Sequence, residues 1–438
     1  MVELKPSETK PRILIVASRD PGGPKTGRKA VISTIVNSLR NLGHPLEITV
    51  VARHEPEGLP HDDGTKFHRI PLAGPLQIVR NLVGFLQRRL SLNECLFFSP
   101  RGAAEVAEIA RRTGCQLVVA DMIRTVPLAR ATGLPLIVDL DDLLSERYRW
   151  LASQGGDNAT ILGYYAHELP EIVAKPAGWL AARLLSHEAR TLDRRELEVA
   201  READAVSLVA AAEANRLEQR AGVSVACLPM AVRIPENGAD VAAGAAGSVA
   251  FIGGLDYFPN EIAVRWFRTE VASRMAHPPQ FTLSVIGRAP DGVVAKLRSP
   301  AIRFLGYVDD VEAELRRHRA FVAPMVEGTG VKTKVLEAMA VGLPVVTTSA
   351  AVRGLGLDHG VHCLVADTGE EFLACIDRLA RDEELAARVG AAGRDFVRRS
   401  FAPEIILRRW EMVLDNVMKE NGTVSNGSPD GQVTGPCA

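Results

Sequence analysis

The feature that most constrains the fold is an alternation that occurs twice along the chain. Short runs of β-branched and other apolar residues alternate with longer segments in which apolar residues recur at helical spacing. This pattern is typical of βαβ units, whose parallel strands are buried on both faces by helices. The predicted strands are 12–18, 46–52, 116–121, 134–140 and 204–210 in the first series, and 249–254, 281–287, 302–308, 320–325, 344–349 and 363–367 in the second.

A stretch that lacks large apolar residues, "RIPENGADVAAGAAGS", separates the two series. At 438 residues the chain is long enough for two α/β domains with doubly wound, Rossmann-like sheets. Ligands of such sheets bind beyond the carboxyl ends of the strands, so we expect the two domains to face each other across a cleft. The predicted divisions are an N-terminal domain (1–232) with a helical insertion at about 147–200, a linker (233–248), a C-terminal domain (249–400), a helix (401–419) able to cross back to the N-terminal domain, and a disordered tail (420–438).

Charge and cysteine usage exclude several classes of protein. The 52 basic and 53 acidic residues leave a net charge of −1, which gives no electrostatic reason to expect nucleic acid as a partner. The polar start "MVELKPSETK" predicts no secretory signal, and no apolar run approaches the ~18–20 residues that cross a bilayer. The six cysteines and ten histidines lack metal-ligand spacing. We therefore expect a cytoplasmic protein with free thiols, no metal site and no cofactor.

The stretch "EGTGVKTKVLEAMAVGLPVVTT" (327–348) places a glycine-spaced turn before a short amphipathic segment. Such a turn brings backbone close to a ligand, and the helix start that follows favours phosphate. At helical spacing Lys334 and Glu337 share a polar face with Thr333, opposite an apolar face. A lysine suits a diphosphate and a carboxylate suits ribose hydroxyls, so a nucleotide diphosphate satisfies both. The alternative is a solvated lysine–glutamate pair.

Five stretches in order carry a resemblance to a known family: "FIGGLDYFPNEIAVRWF" (251–267), "LSVIGRAP" (283–290), "IRFLGYVDDVEAEL" (302–315), "FVAPMVEGTGVKTKVLEAMAVGLPVVTT" (321–348) and "AVRGLGLDHGVHCLVAD" (351–367). Together, over roughly 245–400, they resemble the donor domain of the retaining glycosyltransferase family 4, whose members have the GT-B fold. The resemblance implies a nucleotide-diphosphate sugar as substrate and transfer with retention, without a metal.

The resemblance also implies roles for particular residues. The glutamate at the place of Glu337 binds the ribose, and the turn before it donates backbone N–H groups to the diphosphate and the sugar. The other implied donor contacts are the turn residues Thr329, Gly330 and Val331, the glycines Gly253 and Gly254 under the phosphates or sugar, the backbone near Tyr307 and Val308 for the base, and Arg288 as a further phosphate partner.

The sequence departs from the family pattern at two points. The usual Glu-x7-Glu motif has Thr329 in place of its first glutamate, as in subfamilies with a Gly-x-Gly turn. The usual Arg…Lys phosphate pair after the first strand is replaced by "LDYFPN". We expect Lys334, with Lys332 or Arg288, to supply that charge instead. Lys334, Lys332 and Asp141 are therefore the candidate catalytic residues.

The glycine-rich segment "DPGGPKTGRKA" (20–30) follows the first strand. Its glycines have P-loop spacing, but Arg28 and Lys29 stand where that motif requires lysine and then serine or threonine. The sequence therefore does not predict a P-loop nucleotidase. The resemblance implies instead that Gly22 and Gly23 belong to the first loop of an acceptor-binding domain. A solvated loop is the alternative.

Acidic residues end two neighbouring predicted strands of the first series. Asp139, Asp141 and Asp142 in "VDLDDLLSERY" cannot all cap the following helix, so we expect one of them to bind the acceptor or the donor sugar. Related enzymes often carry histidine where Asp141 falls. The alternative is a helix cap together with a salt bridge to Arg147. Asp121 and Arg124, at the end of the neighbouring strand, are further acceptor-side candidates.

These observations predict a glycosyltransferase that moves a sugar from a UDP- or GDP-sugar to a small-molecule, saccharide or lipid-linked acceptor. Two alternatives stay open. The first is a non-catalytic GT-B subunit that binds nucleotide. The second is a membrane-surface enzyme, because "LQIVRNLVGFLQRRL" (76–90) is amphipathic and basic. Ordinary core packing of that segment is the favoured interpretation. The sequence leaves the acceptor, the sugar, the choice of base and the oligomeric state open.

Overall fold

The computed structural model describes residues 10–21, 27–53, 65–153, 178–236, 245–326 and 333–422. These residues divide into two compact units. One holds the described parts of Met1–Met230 and Ile406–Val433, and the other holds those of Ala231–Ile405. Each unit is built on a parallel sheet. The predicted pair of parallel α/β domains is confirmed.

The sheet of the N-terminal unit has seven described strands in the order β3-β2-β1-β4-β5-β6-β7, and all neighbours are parallel. Its central strands are buried along their whole length, because helices cover both faces. The strands are β1 (Ile13–Ala17), β2 (Leu46–Val51), β3 (Lys66–Ile70), β4 (Leu117–Asp121), β5 (Leu136–Asp139), β6 (Ala205–Leu208) and β7 (Ala226–Cys227).

Several helices of this unit begin and end where local chemistry dictates. The Ser99 hydroxyl caps the helix that starts at Pro100 by accepting from Gly102 N, and left-handed Gly114 ends that helix. The described helices are α1 (Gly27–Asn41), α2 (Pro75–Leu86), α3 (Leu92–Phe97), α4 (Pro100–Thr113), α5 (Val126–Arg130), α6 (Leu144–Ser153), α7 (Gly178–Glu202) and α8 (Ala211–Ala221), with a 3-10 turn at Ile123–Thr125.

The C-terminal unit has a six-stranded parallel sheet in the order β10-β9-β8-β11-β12-β13. Its strands are β8 (Ala245–Ile252), β9 (Thr282–Ile286), β10 (Ile302–Gly306), β11 (His318–Ala323), β12 (Val345–Thr347) and β13 (Leu364–Val365). Its helices are α9 (Phe258–Trp266), extended by a π-helical turn (Phe267–Val271) and a 3-10 turn (Ala272–Arg274), then α10 (Asp291–Leu297), α11 (Val311–Leu315), α12 (Thr333–Val341), α13 (Ser349–Val352), α14 (Gly369–Arg381) and α15 (Glu383–Phe401).

The last helix, α16 (Pro403–Glu420), belongs to the N-terminal unit from Ile406 onward. Ala402 adopts an extended conformation (ψ 149°) before Pro403, which separates α15 from α16. The side chain of Asn421, just beyond α16, donates to Asp204 Oδ1 at 2.9 Å. The first unit is therefore discontinuous in sequence: its last helix follows the residues of the second unit.

Three details differ from the sequence prediction. β3 and β7 were not predicted: β3 reads "KFHRI", and its charged, half-exposed side chains hide the usual apolar signal of a strand. β8 begins at Ala245, inside the range predicted as linker. In the predicted helical insertion, α6 and α7 are helical, while 154–177 lie outside the described residues, as does 423–438 of the predicted tail.

In the part of the chain that is described, no helix is both long and apolar enough to span a bilayer.

Candidate functional site

Two neighbouring strands of the C-terminal sheet end in glycines that touch each other. Ile252 of β8 pairs with Ile286 of β9, and Gly253 and Gly287 follow directly. Gly253 N donates to Ile286 O at 2.8 Å. Gly287 has φ +137°, and a Cβ there would lie 2.7 Å from the carbonyl carbon of Gly253. Only glycine fits, because any side chain would collide with the neighbouring backbone.

Gly253 in turn leaves room for polar side chains against its backbone. It has φ +155°, and a Cβ at this position would lie 2.5 Å from Asn260 Nδ2 and 3.0 Å from Lys334 Nζ. The glycine therefore allows an amide and an ammonium group to approach the end of β8 directly. This arrangement lies at the carboxyl edge of the sheet, where doubly wound folds bind their ligands.

Contacts with two described residues, Asn260 and Phe251, help to hold Lys334 in this position. Its Nζ donates to Asn260 Oδ1 at 2.5 Å and lies 4.5 Å from the centroid of the Phe251 ring. Asn260 is buried, and its Nδ2 donates to Gly254 O at 2.8 Å. A neutral amide and an aromatic face stabilise a cation without neutralising its charge. The first turn of α12 thus presents a positive charge beside the segment Gly253–Leu255, which we call the glycine loop.

The remaining predicted donor residues follow β9 and β10, lie on α12 or fall outside the described chain. Arg288 follows β9 with an exposed side chain, and its carbonyl accepts from Leu255 N at 2.7 Å in the glycine loop. Glu337 is exposed on α12. Tyr307 (80% exposed) and half-buried Val308 follow β10, which is separated from β8 by β9. Thr329, Gly330, Val331 and Lys332 lie outside the described residues.

A row of polar side chains ends three strands of the N-terminal sheet. Asp121 of β4 is the register partner of Asp139 of β5, which in turn pairs with Ser207 of β6. Asp121 Oδ2 accepts from Ser18 N (2.8 Å) and Ser18 Oγ (2.7 Å), just beyond β1. Asp139 Oδ1 accepts from Ser207 Oγ at 2.7 Å. The structure therefore brings two predicted acceptor-side carboxyl groups together on adjacent strands.

Asp139 is the most deeply buried of these acids. It is 1% exposed, and its Oδ2 has no hydrogen-bond partner among the described residues. Burial, followed by the neighbouring Asp141 carboxylate, raises the pKa of Asp139 well above its usual range, although the Ser207 hydroxyl opposes this. The same causes favour the neutral form of the Asp139 carboxyl group. A neutral acid in this position can donate as well as accept a hydrogen bond.

The other predicted acceptor-side residues take different positions. Asp141 has a left-handed backbone (φ +65°), and at 8% it is the most exposed of the three candidate aspartates. Asp142 forms a salt bridge with Arg147, as the structural alternative for this segment expected. Arg124 is buried, donates to Met122 Sδ and lies 5.4 Å from the Phe97 ring centroid. Gly22 and Gly23 lie outside the described residues.

Four residues of these clusters were not singled out from the sequence: Ser18, Ser207, Asn260 and Gly287. A weak signal existed for two of them, because Ser18 and Gly287 are the last residues of the predicted strands 12–18 and 281–287. Asn260 and Ser207 contact residues far away in sequence, and no local pattern identifies such partners. Among the described residues, no group of three or more histidine, cysteine, aspartate or glutamate side chains is arranged to hold a metal ion.

Two parallel-sheet α/β units in tandem, together with the likeness to solved structures of glycosyltransferases, support the GT-B fold. Residues 246–382 match the family model described as "Glycosyl transferases group 1". The matched region contains the glycine loop, Asn260 and Lys334.

Solved structures and curated proteins give more specific similarities. HepE of Anabaena in complex with UDP and glucose has a TM-score of 0.61, 17% identity, and coverage of 93% of this chain and 100% of that one. Sucrose-phosphate synthase from Thermosynechococcus elongatus has a TM-score of 0.65 at 15% identity, covering 94% and 100%. At such identities the likeness concerns the fold. A phosphatidyl-myo-inositol mannosyltransferase of Mycobacterium leprae is 32% identical over 161 residues, 34% of this chain and 40% of that protein. The chain spans less than half the length of the curated relatives that it matches.

Proposed function

We propose that this protein is a glycosyltransferase that moves a sugar from a nucleotide-diphosphate sugar to an acceptor. The observation that carries the proposal is the cluster at the end of β8, where Lys334 is held by Asn260 against Gly253. A backbone without side chains next to a fixed cation suits a diphosphate. The match of 246–382 to the glycosyl transferases group 1 model supports the same assignment.

In the proposed reaction, the bond between the anomeric carbon and the diphosphate oxygen breaks, and its electron pair stays on the diphosphate. The nucleophilic atom of the acceptor, which is oxygen, nitrogen or sulfur, forms the new bond to the anomeric carbon, and its proton passes to the leaving diphosphate. Negative charge therefore grows on the diphosphate in the transition state. Lys334 stabilises that charge, because Asn260 and Phe251 fix its ammonium group before the reaction begins.

We assign the remaining donor contacts as the family resemblance implies. Glu337, exposed on α12, accepts hydrogen bonds from the ribose hydroxyls. Tyr307 and Val308 lie along the base. Arg288 and the segment Thr329–Lys332 complete the diphosphate site. Transfer proceeds with retention and without a metal ion, and a UDP-sugar is the first donor to test because the HepE structure contains UDP and glucose.

On the acceptor side we assign Asp141 to contact the incoming molecule. Asp141 follows β5 by two residues and, at 8% exposed, is the least buried of Asp121, Asp139, Asp141 and Asp142. Asp121 and Asp139, each hydrogen-bonded to a serine, hold the ends of β4 and β5 in place. The acceptor is a small molecule, a saccharide or a lipid-linked sugar.

The proposal is tested by following release of nucleoside diphosphate from UDP- and GDP-sugars. Lys334→Ala is expected to lower kcat/KM by tenfold or more, because a preorganised charge is lost. Lys296→Ala, which removes an exposed lysine of α10 in the same unit, is the matched control and should leave kcat/KM unchanged. Glu337→Ala should weaken UDP binding in calorimetry by roughly tenfold and leave binding of inorganic pyrophosphate unchanged.

Two outcomes would decide against this assignment. Equal kinetics of Lys334→Ala and the wild type would remove Lys334 from the site. Tight binding of UDP or GDP without release of product from any donor would favour the non-catalytic subunit, for which the motivating observation is Thr329 at the place of the family's first glutamate.

A further inference from the structure

Helix α2 carries a stripe of large apolar side chains on its solvent side. Leu76, Val79, Val83 and Leu86 are 80%, 63%, 56% and 72% exposed. At about 100° per residue these four positions fall within an arc of about 80°. We call them the α2 stripe. They are half of the eight large hydrophobic residues that are exposed in the described chain, and the other four, Tyr257, Tyr307, Val361 and Met412, belong to different elements.

The orientation of α2 is fixed by the opposite face of the helix. Asn81 is buried, and its Nδ2 donates to Cys95 O (2.9 Å) and Phe98 O (2.8 Å). The buried Phe85 ring packs edge-on against His187, with the ring centroids 4.8 Å apart. The helix therefore cannot turn its outer stripe inward without breaking these contacts. The core-packing interpretation of this segment accounts for one face of α2 and leaves the other unexplained.

The surroundings of the α2 stripe are positively charged. Arg80, Arg88 and Arg89 are exposed, and from residue 71 to residue 93 the chain has these three arginines and no acidic residue. Within the described part of the chain, none of the three forms an ion pair with a carboxylate. Apolar side chains beside unneutralised arginines are the composition of helices that lie in the interface of an anionic membrane.

We propose that α2 docks this protein onto the surface of an anionic phospholipid bilayer, with the α2 stripe inserted among the acyl chains and the arginines at the headgroups. The 12 residues of α2 are about 18 Å long, too short to span a bilayer, so the helix lies in the plane of the interface. A second copy of this chain fits the surface less well, because a two-fold contact would bring the same arginines together.

This inference does not depend on the proposed glycosyl transfer, since binding to vesicles can be measured without substrate. The test is flotation of the full chain with phosphatidylcholine vesicles, with and without about one-third phosphatidylglycerol. The wild type should float only with the anionic vesicles. It should be released in about 1 M salt, where the screening length is about 3 Å.

Variants test whether binding to vesicles depends on the α2 stripe and its arginines rather than on another surface of the protein. Leu76→Gln/Leu86→Gln should reduce the bound fraction by tenfold or more, because it removes two inserted side chains. Met412→Gln, which removes an exposed apolar side chain of α16 in the same unit, is the matched control and should float like the wild type. Arg88→Gln/Arg89→Gln should weaken binding by roughly fivefold per arginine.

Three results would overturn the proposal. The first is failure of the wild type to float with anionic vesicles. The second is equal flotation of Leu76→Gln/Leu86→Gln and the wild type. The third is a concentration-dependent dimer, seen in sedimentation of the wild type and lost in the same double variant, which would assign the α2 stripe to a second copy. Circular dichroism of the variants checks that each is folded.

Discussion

Asn260 connects two segments of the C-terminal unit that lie 74 residues apart. Its Oδ1 accepts from Lys334 Nζ, and its Nδ2 donates to Gly254 O. One buried amide therefore fixes both the lysine and the glycine loop that we assign to the donor diphosphate. An amide suits this task because it orients the ammonium group without adding a negative charge beside the phosphates.

Asn260→Ala is expected to raise the KM for the donor by roughly tenfold, with a smaller effect on kcat, because Lys334 loses its fixed position. Asn260→Asp should impair donor binding more, since it places a carboxylate beside the diphosphate. The measurement is steady-state kinetics with whichever UDP- or GDP-sugar releases nucleoside diphosphate in the assay of the proposed function.

The control for this prediction is Asn81→Ala, which also removes a buried amide that donates to two carbonyl groups, in the other unit. If Asn260 were important only for folding, both alanine variants would lower the Tm and neither would change the donor KM. That pattern would contradict the assigned positioning role.

Among single residues, the sequence could predict the location of those at the carboxyl end of a strand. Asp121 and Asp139 were predicted together because parallel strands place their carboxyl ends at one edge of the sheet, and they are register partners in the structure. The partners of these groups could not be predicted. Ser207 and Asn260 contact Asp139 and Lys334 through the three-dimensional packing of distant segments.

Among the elements, α7 is unusual because two of its buried glutamates cap other helices. Glu188 accepts from Leu92 N (2.8 Å) and Asn93 N (3.3 Å) at the start of α3, while Glu196 accepts from Ser145 N (2.9 Å) and Ser145 Oγ (2.6 Å) at the start of α6. Burial raises the pKa of Glu188 to about 7 and that of Glu196 to about 8, despite these hydrogen bonds.

These raised pKa values predict that the N-terminal unit loses stability as the pH rises. Above about pH 4.5 the unfolded chain releases these protons, whereas the folded chain keeps them up to about pH 7 and pH 8. The folded state therefore binds more protons over this window, and the free energy of unfolding falls between about pH 5 and pH 8, by an amount on the order of a few kcal/mol.

Glu196→Gln should flatten this dependence, because glutamine keeps an acceptor for Ser145 N and does not titrate. The measurement is urea unfolding of the wild type and the variant at several pH values between about 5 and 8. Glu105→Gln, at an exposed position of α4, is the control and should follow the wild type. A dependence as steep in Glu196→Gln as in the wild type would contradict the assignment of the titration to Glu196.

Element type was predictable where burial is uniform and less so where one face is exposed. The fully buried strands β1, β4 and β5 were predicted because their apolar runs are continuous. The amphipathic period of α2 was visible, but a helix with apolar residues on two faces does not reveal which face the core covers. That choice is made by Asn81 and Phe85, whose contacts come from α3 and α7.

For the whole molecule, the two compact units do not simply follow each other in sequence, because the first unit is made of two separate segments of the chain. The described residues from Ile406 to 422 belong to the first unit, although the second unit precedes them in sequence. Five residues of α16 are buried: Ile406, Trp410, Leu414, Val417 and Met418. The stability of the N-terminal unit therefore depends on a helix that follows the C-terminal unit in sequence.

Trp410 is the largest buried side chain of α16 and is 1% exposed. Trp410→Ala is expected to cost about 3–5 kcal/mol, because it leaves a cavity where an aromatic side chain was packed. Since Trp410 belongs to the N-terminal unit, hydrogen exchange measured by mass spectrometry should become faster in β1, β4 and β5 and remain unchanged in β8 and β11. Trp266→Ala, in α9 of the C-terminal unit, should give the reverse pattern. Equal acceleration of exchange in both sheets by Trp410→Ala would show that α16 does not stabilise the N-terminal unit selectively.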